Sequence, residues 1–116
     1  MERFRDVFIN EAKDLKKVLK KYLGKETNRF KSINMHHGDS GNNGEIEFVF
    51  TEKGLADLYK ENNINPGDGY DFLVKYGNDV LSKAVDKSGE MQVEQEADVS
   101  GKGSDKVRKI SLKGMY

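Results

Sequence analysis

The sequence contains no cysteine and no tryptophan, and proline occurs once in 116 residues. The lack of cysteine excludes disulfides, thiolate nucleophiles and the common structural zinc sites. Basic and acidic side chains balance at 20 each, so no net field directs the chain toward nucleic acid or an anionic membrane. Apolar runs stay far below the roughly 20 residues that span a bilayer. Because an apolar leader is also missing, we expect a cytoplasmic protein that does not contact membranes.

The length and the apolar pattern together predict the fold class. A chain of 116 residues can form one domain with a modest core, so we treat residues 1–116 as a single α+β domain. Apolar residues recur at three- and four-residue steps from Phe4 to Leu23, which predicts a long amphipathic helix over 1–24 with Gly24 as its stop. Residues 28–116 are predicted to form a curved, mainly antiparallel sheet or a partly open small barrel with a second short helix.

Individual elements follow from a change of apolar period from 3.6 to two after Gly24. Strands are predicted at 29–37, 45–51, 70–76, 80–85, 91–99 and 107–112. Thr51 is the predicted N-cap of the short helix, whose inward side carries Leu55 and Leu58. Gly67 follows the single proline, Pro66, at the centre of a predicted tight turn. We expect Gly67 to have a positive φ, because a strand has to start almost immediately afterwards.

No set of residues in the sequence indicates a catalytic or metal site. His36 and His37 are adjacent, and adjacent strand residues point to opposite faces, so the two imidazoles are not expected to share an ion. Residues 39–50 partly imitate a calcium loop, but Phe50 stands where the bidentate glutamate belongs. Residues 100–104 lack phosphate-loop spacing, and no nucleophile elbow surrounds a serine. We therefore expect no enzyme activity, no catalytic residue, no metal and no cofactor.

One segment, Gly54 to Phe72, carries a family resemblance; it reads GLADLYKENNINPGDGYDF. Its spacing resembles the plant B-three DNA-binding superfamily around the glycine-tryptophan helix and the glycine-aspartate turn, and it is similar to a unit of the bacterial swapped-hairpin transcription regulators. The resemblance covers 19 of 116 residues and implies a small barrel and DNA binding. Leu55 replaces the family's usual tryptophan. The DNA-contacting arms of that family lie outside the matched segment, so no DNA-contacting residue is carried over.

Two functions remain open. The first is a nucleic-acid-binding module that uses basic residues on the predicted strands: Arg29, Lys31, Lys75, Lys83, Lys106 and Arg108. The second is a protein-interaction factor, such as a small regulator, an inhibitor or an assembly component, that binds a protein partner or a second copy through the N-terminal helix or a sheet edge. The helical residues predicted to contact that partner are Phe4, Phe8, Leu15 and Leu19. The lysines on the opposite side of this helix could dock on phosphates, but such a run is typical of a solvated face.

Overall fold

The computed structural model describes residues 15–37, 43–100 and 108–115, and these residues adopt an α+β fold. The helices are α1 (Leu15–Leu23), α2 (Glu52–Glu61), α3 (Gly69–Tyr76) and α4 (Ser82–Ser88). The strands are β1 (Phe30–His37), β2 (Asn43–Phe50), β3 (Gln92–Val93), β4 (Asp98–Ser100) and β5 (Lys109–Met115). Segments of 3-10 helix cover Gly24–Arg29 and Pro66–Asp68. A π-helical segment, Gly77–Leu81, joins α3 to α4 without a break.

The strands form one antiparallel sheet that is open rather than closed. Its order is β1-β2-β5-β3, and β4 also pairs with β5. Lys109 pairs with both Val49 and Ser100, and Met115 pairs with both Asn43 and Gln92. The short strands β3 and β4 therefore share the side of β5 that faces away from β2. Within the described ranges β1 pairs with β2 alone, so the predicted partly open barrel is corrected to an open sheet.

The core lies between one face of this sheet and the helices. Along β2, Ile46, Phe48 and Phe50 are buried, while Glu45 and Glu47 point to the other face, as the alternation of the sequence predicts. The ring of Phe50 contacts that of Phe30 on the neighbouring strand at a centroid distance of 4.7 Å, and that of Tyr76 on α3 at 6.3 Å. Helix α1 packs against β1 and α4. The helical layer therefore covers the apolar face of the sheet.

Several predicted element boundaries are confirmed. Helix α1 ends before Gly24, which has φ +61°, a conformation that glycine adopts at low cost. The Thr51 hydroxyl accepts a hydrogen bond from the Gly54 amide at 2.8 Å and caps α2. The first strand starts with a bulge between Phe30 and Ser32. Among the described residues the N-terminal helix begins at Leu15, and the part of that prediction over residues 1–14, which includes Phe4 and Phe8, lies outside them.

The largest correction concerns residues 70–76 and 80–85, which are helical and not strands. The alternation of Tyr70, Phe72, Val74 and Tyr76 suggested a period of two, but the fully buried residue is Leu73, which lies between those positions. Tyr70 is 39% exposed. Burial of Gly69, Leu73 and Tyr76 follows the three- to four-residue spacing of a helix, so a helix satisfies the core contacts of this segment better than a strand.

The predicted turns around these segments are corrected with them. Gly67 lies in a 3-10 turn and has no positive φ, because the chain continues into a right-handed helix at Gly69 instead of reversing into a strand. Gly89, which follows the predicted strand over 80–85, caps α4 with φ +78°. The predicted strand over 91–99 is divided into β3 and β4. No helix in the described ranges has the length and apolar character needed to cross a membrane.

Candidate functional site

A group of exposed lysines lies on α1. Helix α1 carries four lysines and no acidic residue. Leu15, Leu19 and Leu23 are buried, and the 3.6-residue period therefore turns Lys17, Lys20 and Lys21 outward, where all are exposed.

Lys16 faces another direction. Its ammonium donates to the Phe30 carbonyl at 2.8 Å and so ties α1 to the start of β1. The outward side of α1 is consequently basic, while Lys16 makes the contact that holds α1 to β1.

Helix α4 packs directly against α1 and carries exposed lysines of its own. Lys83 and Lys87 are exposed on α4. The acidic residue between them, Asp86, accepts a hydrogen bond from the Val93 amide at 2.9 Å through Oδ1. Its carboxylate is thus turned toward β3. We define the lysine face as the exposed lysines of the two helices: Lys17, Lys20, Lys21, Lys83 and Lys87.

The basic residues singled out from the sequence do not form one surface. Lys75 and Lys83 are exposed but lie on α3 and α4, not on strands. Lys31 is exposed on β1, and Lys106 lies outside the described residues. Arg29 and Arg108 are buried, with 8% and 6% of their surface accessible. Of the six predicted residues, only Lys83 belongs to the lysine face.

The helical residues proposed for protein contact are used within the chain itself. Leu15 is 9% exposed and Leu19 is fully buried, so both side chains belong to the core. Phe4 and Phe8 lie outside the described residues. The sequence did not reveal that α4 is a helix beside α1, because the lysines of α4 fall in a segment with a strand-like pattern.

Arg29 is the centre of a partly buried ion-pair network. Its guanidinium donates to both carboxylate oxygens of Glu26, at 2.8 and 3.3 Å, and to both oxygens of Glu61, at 2.8 and 3.2 Å. The Tyr76 hydroxyl donates to Glu26 Oε1 at 2.7 Å. The Arg29 carbonyl accepts from the Thr51 amide at 3.0 Å. The network therefore joins the turn after α1 to α2 and α3, and Arg29 is a structural residue.

The titration of this network favours its charged form. Burial acts to raise the pKa of Glu26, but hydrogen bonds from Arg29 and Tyr76 outweigh it and hold the pKa below its usual value. The hydrogen bond from Arg29 likewise lowers the pKa of Glu61. Burial, together with the hydrogen bond to Glu26, raises the pKa of the Tyr76 hydroxyl. A general acid near neutral pH needs a raised carboxyl pKa, so these glutamates are poor candidates for that role.

Arg108, the other buried arginine among the described residues, differs from Arg29 in its surroundings. It precedes β5, and its carbonyl accepts a hydrogen bond from the Phe50 amide at 3.1 Å. The side chain is buried, and its Nε and Nη1 atoms have no hydrogen-bond partner among the described residues. A buried charged group without a partner is energetically costly.

The face of the sheet opposite the helices is polar and carries both signs of charge. Glu47 lies between His36 and Lys109, with oxygen–nitrogen distances of 3.9 Å to each. Glu45 is paired in register with His36 and Lys113. Within the described part of the chain, no cluster of three or more His, Asp or Glu side chains is suited to hold a metal ion. This mixed pattern does not present one sign of charge to a polyanion.

Comparisons with known proteins give no relative for this chain: no family model matches it, and no curated protein or solved structure matches it either. The resemblance of residues 54–72 to the B-three superfamily stays a prediction.

Proposed function

We propose that this protein is a small non-enzymatic module that binds nucleic acid through the lysine face. The observation that carries the proposal is that α1 and α4, two helices that pack against each other, both expose lysines. Lysine ammonium groups neutralise phosphates and release the counterions that surround a nucleic acid. A neutral protein can bind in this way when its charges are segregated, since the local field guides the encounter.

The charge distribution on the rest of the molecule supports binding of nucleic acid on the α1 side. Residues 90–98 include Glu90, Glu94, Glu96 and Asp98 and contain no lysine or arginine. They lie at the β3 and β4 edge of the sheet, whereas α1 packs over β1 at the opposite edge. The acidic residues therefore lie away from α1, whereas α4 contacts β3, so we expect a polyanion to be attracted chiefly to the α1 side. The contacts would be to phosphates, which position a protein on nucleic acid without reading sequence.

The test is a salt titration of binding to labelled duplex and single-stranded oligonucleotides. Affinity is expected to fall steeply with salt, and each phosphate-contacting lysine that is removed should reduce the log–log slope by about 0.9 for duplex DNA. The variants are Lys17→Ala and Lys21→Ala, singly and combined. Both residues are exposed on α1, so the fold should be unaffected.

A matched control removes the same charge elsewhere. Lys60→Ala changes an exposed lysine near the end of α2 and should leave the slope unchanged, as should Lys75→Ala on α3. Equal effects of Lys17→Ala and Lys60→Ala would contradict the lysine face as the contact surface. Absence of binding at low salt would remove the nucleic-acid proposal.

A second candidate function, protein binding, is supported by the edge of β1. This strand has eight residues, and in the described part of the chain it pairs on one side only. An exposed strand edge can accept an added strand from a partner. Substitutions in β1 would test this candidate if no oligonucleotide binds. Replacement of Ile33 or Met35 would disturb the fold itself, because both side chains contact the core. Asn34→Pro is the better probe, since proline removes a backbone donor and Asn34 is exposed.

A further inference from the structure

An exposed aromatic side chain lies among the lysines of α1. Tyr22 is 42% exposed, whereas Tyr59 and Tyr76 are buried. A ring in the core is stabilised by removal of its apolar surface from water, and an exposed ring retains much of that surface for a ligand. A single exposed apolar residue is common on protein surfaces, so the charges around Tyr22 decide what this ring can bind.

Exposed lysines lie on both sides of Tyr22 along the chain. Lys20 and Lys21 precede it, and Lys25 follows it by three residues, a spacing at which side chains are neighbours on a helical surface. All three lysines are exposed. Tyr22 also follows Val18 by four residues, and Val18 is partly buried against the core. The ring therefore lies at the border between the buried side of α1 and its lysines.

The acidic residue of this part of the chain does not offset the positive charge. Glu26 is the single acidic residue between positions 15 and 29. Its carboxylate accepts hydrogen bonds from Arg29 and from Tyr76. A phosphate that approaches Tyr22 consequently meets lysine ammonium groups, while the carboxylate of the same segment is already engaged.

We infer that α1 binds single-stranded nucleic acid, with Tyr22 stacked on an unpaired base and the adjacent lysines on phosphates. The inference rests on the proposed nucleic-acid function and names the class of ligand within it. Lysine contacts alone do not select a single strand, because phosphates are present on single and double strands alike. The faces of bases are accessible where a strand is unpaired, and an aromatic side chain beside basic groups binds them by stacking.

The experiment compares the affinities of the full chain for single-stranded and duplex oligonucleotides of one sequence. Tyr22→Leu keeps an apolar side chain but removes the aromatic face. It should weaken single-strand binding by roughly 5- to 150-fold and leave duplex affinity and the salt slope unchanged. Tyr22→Phe retains the aromatic face and should bind as the wild type does. Circular dichroism checks that both variants are folded.

Two further oligonucleotides separate the base from the phosphate and the sugar. An abasic strand presents phosphates without bases, so the wild type should bind it more weakly than the ordinary strand, and Tyr22→Leu should weaken that binding no further. Strands with ribose and with deoxyribose should show the same loss in Tyr22→Leu, because stacking engages the base and not the sugar. The strand that the wild type binds more tightly identifies the sugar of the ligand.

The lack of tryptophan in the chain permits a direct measurement that does not depend on Tyr22→Leu. Tyr22→Trp introduces a single tryptophan, whose fluorescence should be quenched by a single strand with a saturable dependence and far less by a duplex. Tyr70→Trp is the matched control, because Tyr70 is 39% exposed on α3. Its fluorescence should stay unchanged. Equal quenching of the two variants would refute stacking at Tyr22.

Failure of this inference is distinguishable from failure of the proposed function. If oligonucleotides bind with the expected salt dependence but Tyr22→Leu binds single strands as tightly as the wild type does, Tyr22 is an ordinary surface residue and the inference is wrong, while the lysine face stands. Tighter binding of duplex than of single strand by the wild type has the same meaning. If no oligonucleotide binds at low salt, both proposals fail.

Discussion

We expect the replacement of Glu26 by alanine to destabilise the folded protein strongly, although Glu26 lies in a partly exposed turn. Glu26 lies in the 3-10 segment after α1 and would ordinarily be judged a surface residue. Its side chain is 21% exposed, while that of Arg29 is 10% exposed. Alanine would remove the acceptor of two Arg29 hydrogen bonds and of the Tyr76 hydroxyl. The Tyr76 hydroxyl would then lose the only acceptor that the described residues provide for it.

The magnitude follows from the bonds that are lost. A hydrogen bond to a charged group contributes about 1.5–3 kcal/mol, and removal of one member of a buried ion pair costs about 3–5 kcal/mol. Because Arg29 retains its contacts with Glu61, we expect a loss of about 3 kcal/mol, at the lower end of the second range. For a domain of this length that corresponds to a fall in Tm of about 12 °C.

The assay is urea unfolding followed by circular dichroism, together with thermal melting at pH 7. Glu61→Ala is the matched control, because it removes the other carboxylate of Arg29 from a side chain that is 54% exposed; its effect should be clearly smaller. Tyr76→Phe in the Glu26→Ala background should add little, since the hydroxyl has already lost its acceptor. A Glu26→Ala protein as stable as Glu61→Ala would refute the assignment of Glu26 as the buried partner.

The remaining predictions concern pH and the core. Because the folded-state pKa of Glu26 lies below that of an ordinary glutamate, the contribution of Glu26 to stability is complete above the ordinary pKa and is lost as the pH falls through the lowered pKa. Urea unfolding between pH 3 and 6 should therefore show declining stability toward acid, and Glu26→Gln should flatten that decline; an unchanged slope would contradict it. Leu19→Ala, at a fully buried position of α1, should cost about 2–5 kcal/mol, and a loss below about 1 kcal/mol in the same assay would show that α1 does not pack as described.

The elements that the sequence predicted well are those in which one periodicity dominates. In β2 the apolar residues alternate with glutamates, and the structure buries the apolar set. In α1 leucine recurs at positions 15, 19 and 23 among lysines, and those leucines are buried. In both cases the two faces differ so strongly in polarity that a single arrangement satisfies burial. The cap at Thr51 was predictable because its hydrogen bond is local.

The helical segment over residues 69–88 could not be predicted in the same way. Aromatic and aliphatic residues occupy adjacent positions there, so a period of two and a period of 3.6 both find apolar residues to bury. Gly77 lies inside the helical segment, at a position where a Cβ would come within 2.6 Å of the Ala97 Cβ. This glycine serves close packing between distant parts of the chain, a requirement that no local window contains.

The candidate site was obscured by the same error. Lys83 and Lys87 lie on a helix that packs beside α1, and the sequence placed them on a strand instead. Arg29 and Arg108 were taken as surface charges because arginine is usually exposed. Their burial depends on the tertiary positions of Glu26, Glu61 and Phe50, which lie in other elements.

The central position of β5 has a consequence for how the protein is made. This strand follows the other four along the chain, yet it lies between β2 and the pair β3 and β4. During synthesis the β1–β2 hairpin can form early, but β3 and β4 have no neighbour in the sheet until residues 109–115 have left the ribosome. Such non-local strand pairing slows folding and prolongs the exposure of strand edges. Nascent chains that stop before β5 should therefore require chaperone protection, even though they already contain every described helix.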